Sequence, residues 1–298
     1  VHGEAAPVET ARSVRLPIPP RIQWTENHGY CGECSIQQSA LYFGTYVSQF
    51  ACRALLGPSQ SREEVLVAVN DRNVLSMLRL SSDEFDFRRY RVPQFASWFG
   101  WVTGHLNAGH PVLMTCFVRG MKDRDYDHIM LATGFSAAKP GRYAPGDRLV
   151  FNDNFSVKSQ TRRASQLADT RSMSGNGLRF RFCVPEKVDY GCAVTGIMDE
   201  TGQALSVRLV LDNDREPDVL AGKPATTFRA RVNVTRLIPG RTYVLYRYDD
   251  CRAVPTRGYA ASAFTSANAF VAGAANVSFD ASIRSDKLAI FRCLPAGV

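Results

Sequence analysis

Hydrophobic and polar positions change rhythm along the chain, from a helical period in the first third to an alternating one afterwards. In Ser35-Ile-Gln-Gln-Ser-Ala-Leu-Tyr-Phe-Gly44, Ile36, Ala40 and Phe43 recur at helical spacing and Gly44 supplies a stop. This predicts a helix whose N-terminus lies near Cys31 to Cys34. Ser61-Arg-Glu-Glu64 has the form of a capping box and opens a second helix through Val69. Val92-Pro-Gln-Phe-Ala-Ser-Trp-Phe99 opens a third, followed by a short fourth near Trp101 to Ala108. Strand patterns follow at Pro111 to Val118, after the turn Asn107-Ala-Gly-His110, then at His128 to Gly134, Arg148 to Asn152 and Leu178 to Val184. Helices first and an antiparallel sheet after is an α+β order.

Beyond about Val188 the pattern becomes short alternating segments: Leu205 to Asp212, Thr227 to Thr235, Thr242 to Tyr248, Asn276 to Ala281 and Leu288 to Cys293. Turn residues separate them and no helical period appears, which predicts an all-β sandwich of Greek-key type. Residues 1–20 carry Pro7, Pro17, Pro19 and Pro20 with little periodicity and read as an extended N-terminal tail. The expected organisation is therefore tail 1–20, an α+β domain at 21–187 and a β-sandwich accessory domain at 188–298. A chain of 298 residues is long enough for two cores.

Net charge of +8 would suit an anionic partner, but Lys and Arg are interleaved with acids, as in Met121-Lys-Asp-Arg-Asp125 and Asp212-Asn-Asp-Arg-Glu216. With no basic run, nucleic-acid binding is not expected. No stretch approaches the ~20 apolar residues of a membrane span, so no membrane insertion is expected. The first residues lack the regions of a signal peptide, and the initial Val fits either a mature product after signal removal or a trimmed chain. Eight Cys, an even number, and the sequons Asn154-Phe-Ser, Asn233-Val-Thr and Asn276-Val-Ser point to a secreted or endomembrane-lumen glycoprotein. Cys183 with Cys192 and Cys251 with Cys293 are candidate bridges. The Cys and His do not repeat at metal-ligand spacing, so neither metal nor cofactor is expected.

Nucleophilic chemistry has clearer signals. A reactive Cys needs help to form a thiolate, a base to take the proton, a group that orients the base and donors for an oxyanion. Gly29-Tyr-Cys-Gly-Glu-Cys-Ser35 places two Cys at a helix start, where the dipole favours negative charge. Of five His, His2 lies in the tail, His105 and His110 flank a turn, and His28 adjoins the Cys loop. His128, at the start of a strand in Tyr126-Asp-His-Ile-Met-Leu131, is the candidate base. The later strand ends in Asn152-Asp-Asn154, any of which can orient an imidazole. A Cys-x-x-Cys redox motif would need a preceding strand, and Arg21 to His28 has no such pattern.

In order along the chain, Cys31-Gly-Glu-Cys-Ser-Ile-Gln-Gln-Ser-Ala-Leu-Tyr-Phe-Gly44, Leu106-Asn-Ala-Gly-His-Pro-Val112 and Asp127-His-Ile-Met-Leu131 resemble motifs of the bacteriocin-processing (double-glycine) peptidase family and its looser relatives. The resemblance covers about residues 23 to 156. It implies a papain-like cysteine peptidase fold with a Cys-His-Asp triad: Cys31 as nucleophile, His128 as base and Asp153 as orienting residue, with Asn152 and Asn154 as alternatives. Papain itself offers a rival register in which Cys34 attacks. The same families use a Gln about six residues before the nucleophile for the oxyanion; Gln23, eight before Cys31, fills that role, with Asn27 as the alternative. Leu237-Ile-Pro-Gly-Arg-Thr-Tyr243 resembles the tyrosine corner of fibronectin-type-III-like modules.

The resulting expectation is a cysteine peptidase-like hydrolase acting on peptide or protein substrates. Two others share the scaffold: an acyl transferase, and an inactive papain-like protein that recognises protein or glycan together with its β-sandwich.

Overall fold

The computed structural model describes residues 12–24, 29–57, 64–119, 127–169, 181–185 and 187–297. In chain order, β1 is Arg12–Arg15, α1 Cys31–Tyr42, β2 Thr45–Val47, α2 Gln49–Ala54, α3 Asp71–Met77, β3 Leu80–Glu84 and α4 Phe95–Asn107. Strands β4 (Val112–Val118), β5 (Asp127–Ala137), β6 (Arg148–Asn152) and β7 (Gln160–Arg163) follow, then α5 (Ala164–Leu167), β8 (Ala168–Asp169), β9 (Phe182–Pro185) and β10 (Gly191–Ile197). The remainder is β: β11 (Val207–Leu211), β12 (Thr227–Thr235), β13 (Thr242–Tyr248), β14 (Ser266–Val271), β15 (Asn276–Arg284) and β16 (Leu288–Pro295). The architecture is mixed α+β with antiparallel sheets.

The first sheet has the order β3-β10-β4-β5-β6-β7, with β1 added on β5 and β9 on β4. Its central strands are apolar on both faces: Val112 to Met114 and Ile129 to Ala132 are buried, so helices must cover them. Helix α1 packs across β5, and α4 packs on β5 and β10. Two further sheets, β11-β12-β15 and β14-β13-β16-β2, enclose a second core of alternate residues such as Leu209, Phe228, Val232, Leu245 and Phe291. At its corner the Tyr243 hydroxyl accepts a hydrogen bond from the Ile238 amide at 2.9 Å.

Three segments pair across the expected domain limits. Residues 12–15 of the expected extended tail form a strand in register with β5, from Arg12 opposite Ala137 to Arg15 opposite Gly134. Leu16 and Ile18 then bury in the core, because apolar side chains alternate there between the prolines. Strand β10 lies beyond residue 187 yet sits between β3 and β4, its Cys192, Ala193 and Val194 fully buried. Conversely β2 belongs to the sandwich, pairing Thr45 to Val47 with Leu288 to Ile290 and placing Tyr46 in the second core.

The helix expected through Val69 also differs where it is described. Asn70 Oδ1 accepts from the Leu66 amide at 2.8 Å and Asp71 Oδ1 from the Ala68 amide at 3.1 Å, so side-chain bonds fold a turn and the helix starts at Asp71. The expected third and fourth helices are one. Gly100 between them is no breaker but a contact point, where a Cβ would lie 2.8 Å from the Gly141 carbonyl.

All eight Cys are buried and none is joined in a disulfide, so neither expected bridge is present. Cys183 sits opposite Phe117 and Cys192 opposite Leu113 on the same strand β4. Four residues along a strand is about 13 Å, beyond disulfide reach. Cys293 packs inside the sandwich, and Cys251 sits in a separate cluster with Tyr248 and Tyr259.

Candidate active site

Helix α1 begins at Cys31, and its first turn is held from several sides. A Cβ on Gly32 would lie 2.1 Å from the Val65 carbonyl, so only glycine lets that segment close on the helix start. Glu33 is fully buried, paired with Arg53 at 2.6 Å and accepting from the Val65 amide at 3.3 Å. Burial pushes its carboxyl up to about 7, with Arg53 opposing. Arg53 also lies 3.7 Å over the Tyr30 ring and donates to the Gly29 carbonyl.

His128 is the second residue of β5, opposite Cys116 on β4, and is fully buried. Its ring stacks on Phe155, with centroids 4.3 Å apart and planes 12° from parallel. Nε2 lies 2.8 Å from the Asp153 main-chain carbonyl. A carbonyl only accepts, so Nε2 carries the proton and the lone pair belongs to Nδ1. Burial lowers the imidazole to about 4, against the Asp153 carbonyl and charge, so the ring is neutral at physiological pH.

Asp153 therefore meets the imidazole through its backbone and not its carboxylate, which differs from the expected triad. The carboxylate is committed elsewhere: Oδ1 accepts from the Phe155 and Ser156 amides, each at 3.0 Å, and Oδ2 from Gln160 Nε2 at 2.9 Å. An aspartate turn thus shapes the loop that carries both the carbonyl and the stacking ring.

Asn154 joins the two halves of the site. Its Nδ2 donates to the Cys31 carbonyl at 3.0 Å, to Ser35 Oγ at 2.9 Å and to the Ile129 carbonyl at 2.9 Å. Its Oδ1 accepts from Gln38 Nε2 at 2.5 Å. One amide thus ties the residue bearing the first sulfur to the residue after His128. Asn152 stands further in, donating to Gln38 Oε1 at 2.8 Å and to the Ile18 carbonyl at 3.2 Å. Asn154 is fully buried with both amide atoms engaged, so its sequon has no room for a glycan.

Gln23 comes to the same place by its backbone, donating to the Asn154 carbonyl at 3.0 Å. Its side chain is buried, and Oε1 has no hydrogen-bond partner among the described residues. Asn27, the alternative donor, lies outside those residues. Cys34 faces inward: its Sγ lies 3.6 Å from the Arg21 carbonyl and 3.6 Å from Gln38 Nε2, and burial drives its thiol well above the ordinary range.

Gln38 and the Glu33–Arg53 pair carry the site's geometry without having been singled out in the sequence. Gln38 had one available sign, its spacing of four from Cys34, which puts a polar residue on the buried face of α1. Among the described residues no group of His, Cys, Asp and Glu could hold a metal ion, and no helix is long and apolar enough to cross a membrane. In comparisons with known proteins, no family model and no curated protein matches the chain.

Proposed function

We propose that the chain is a papain-like thiol hydrolase of peptide or amide bonds, with Cys31 as nucleophile, His128 as base and the Asp153 carbonyl as the group that orients the imidazole. The observation that carries this reading is the Asn154 amide, which holds the Cys31 and Ile129 carbonyls on one nitrogen. The Nε2–H tautomer of His128 supports it further, because the Nδ1 lone pair is the atom able to take a thiol proton. In this scheme Sγ attacks the acyl carbon as Nδ1 removes its proton, and the imidazolium then protonates the leaving amine. Water, activated by the same nitrogen, hydrolyses the thioester. The Cys31 amide at the helix start and the Gln23 side chain stabilise the oxyanion. The buried, high-pKa thiol of Cys34 favours Cys31 over it.

The experiment is alkylation by iodoacetamide at neutral pH with peptide mapping, beside a peptide-library cleavage profile for wild type, Cys31→Ala, Cys34→Ala and His128→Ala. Expected are modification of Cys31 alone and cleavage lost in Cys31→Ala and His128→Ala but kept in Cys34→Ala. The inactive-scaffold reading draws on the closed surroundings, since Cys31 is 7% and His128 0% exposed. An unmodified Cys31 with no cleavage in wild type would overturn the hydrolase reading in its favour.

A further inference from the structure

The loop between β11 and β12 reaches out of the sandwich and packs against Gln23 and Trp24. Arg21 donates to the Asn213 carbonyl at 2.7 Å and to Asn213 Oδ1 at 3.2 Å, and the Trp24 indole donates to the Glu216 carbonyl at 3.3 Å. A cleft of about 460 Å³ remains between the two, lined by Gln23, Trp24, Arg215, Lys223 and Phe228 among others. That volume is in the range of small-ligand sites. The wall is joined to the candidate nucleophile on both sides: Gln23 through Asn154, and Trp24 through Tyr30, whose ring lies 4.9 Å from the indole.

The acids that line the cleft accept hydrogen bonds from the protein itself. Glu216 is buried, with Oε1 accepting from the Gln49 amide at 2.5 Å and Oε2 from Gln37 at 2.7 Å and Tyr46 at 2.9 Å. Asp218 Oδ1 accepts from the Leu220 and Ala221 amides, each at 3.1 Å. Arg215, by contrast, is exposed. The buried Gln23 Oε1, without a partner, is an acceptor suited to a main-chain N–H, and Arg215 is a donor fork suited to a carboxylate.

We infer that this cleft is a substrate subsite built jointly by both halves of the chain, and that it takes a peptide segment bearing an acidic side chain, whose carboxylate pairs with Arg215 while its backbone engages Gln23. The inference rests on the hydrolase reading. It makes the sandwich part of the specificity apparatus.

The test uses the full chain and peptidyl epoxides that share one backbone, with Glu, Gln or Lys scanned through each position, and compares their rates of Cys31 modification with that of iodoacetamide. In wild type a Glu probe should react about 5-fold faster than its Gln counterpart at one position, the scale of a partly exposed ion pair. That ratio should fall to about one in Arg215→Gln and turn into a preference for Lys in Arg215→Glu, with iodoacetamide rates unchanged in both. Absence of an acidic preference at every position, or its persistence in Arg215→Glu, overturns the subsite. Failure of iodoacetamide to modify wild-type Cys31 overturns the hydrolase reading, and the subsite falls with it.

Discussion

Replacing Asn154 tests the frame of the site at its most connected point. The residue makes three donated bonds and one accepted bond in full burial, and it sits at φ +60°, where Asn is tolerated better than other side chains. In Asn154→Gly the backbone stays relaxed and the bonds are lost. Ser35 Oγ still donates to the Ile129 carbonyl at 3.3 Å and Gln38 Nε2 to the Cys34 carbonyl at 3.3 Å, so part of the network survives. At about 1 kcal/mol per net bond the cost is about 3 kcal/mol. Asn154→Ala adds about 1 kcal/mol for a Cβ in the left-handed region. Asn154→Asp keeps the shape but turns an oxygen toward the Cys31 and Ile129 carbonyls, and a buried acceptor facing two acceptors should make it the worst of the three. Urea unfolding followed by circular dichroism should rank them Asp, Ala, Gly from most to least destabilised, and Cys31 alkylation should slow in the same order. An Asn154→Asp protein more stable than Asn154→Ala would refute the donor geometry and leave only a packing role.

When the chain is expressed through a secretory pathway, peptide mapping should find no glycan on buried Asn154, whereas exposed Asn276 is available for modification. Burial raises Glu216 from its ordinary 4.5 to about 7, so the native state holds a proton that the unfolded chain has released, and this stabilisation is lost as pH rises from about 4.5 through 7. Between pH 5 and 8, Glu216→Gln should therefore lose less stability than wild type, by about 2.5 kcal/mol, in paired urea titrations; identical losses would contradict it. His128 has the opposite sign: lowered from 6.5 to about 4, it stays neutral in the native state while the unfolded chain takes up a proton. Stability is lost as pH falls from 6.5 to 4, and His128→Phe should lack that contribution, worth about 3 kcal/mol in wild type. Loss of the imidazole without any change in the acid limb would refute its buried neutral state.

The strands were the most legible part of the chain. Arg148–Asn152, Thr227–Thr235 and Thr242–Tyr248 agree with the pattern to the residue, because alternation or a dense apolar run bounded by turn residues leaves few other ways to bury those side chains. Helix α2 was not legible, for its six residues carry little periodicity and it depends on Ser48, whose Oγ caps the Ala51 amide at 3.0 Å. The polar run after Phe151 stood out in the sequence as a candidate, but the hydrogen bonds each of its members makes did not. Which atom meets an imidazole is decided by the loop: Asp153 spends its carboxylate on the turn, and its carbonyl is left for the ring. Glu216 shows the same limit at longer range. In sequence it closes a mixed-charge run typical of solvated loops, and only the tertiary fold turns it inward to Gln37, Tyr46 and Gln49.

The short strand Thr45–Val47 has a bearing on how this molecule can be taken apart. It leaves the end of α1 and hydrogen-bonds to a partner more than two hundred residues away, so the chain is laced rather than strung. Ending it after the first sheet would strip Tyr46 of its enclosure and leave the stem of α1 unanchored. The C-terminal half is thus no detachable cassette, and exchanging it for another β-module would disturb the very helix on which Cys31 stands.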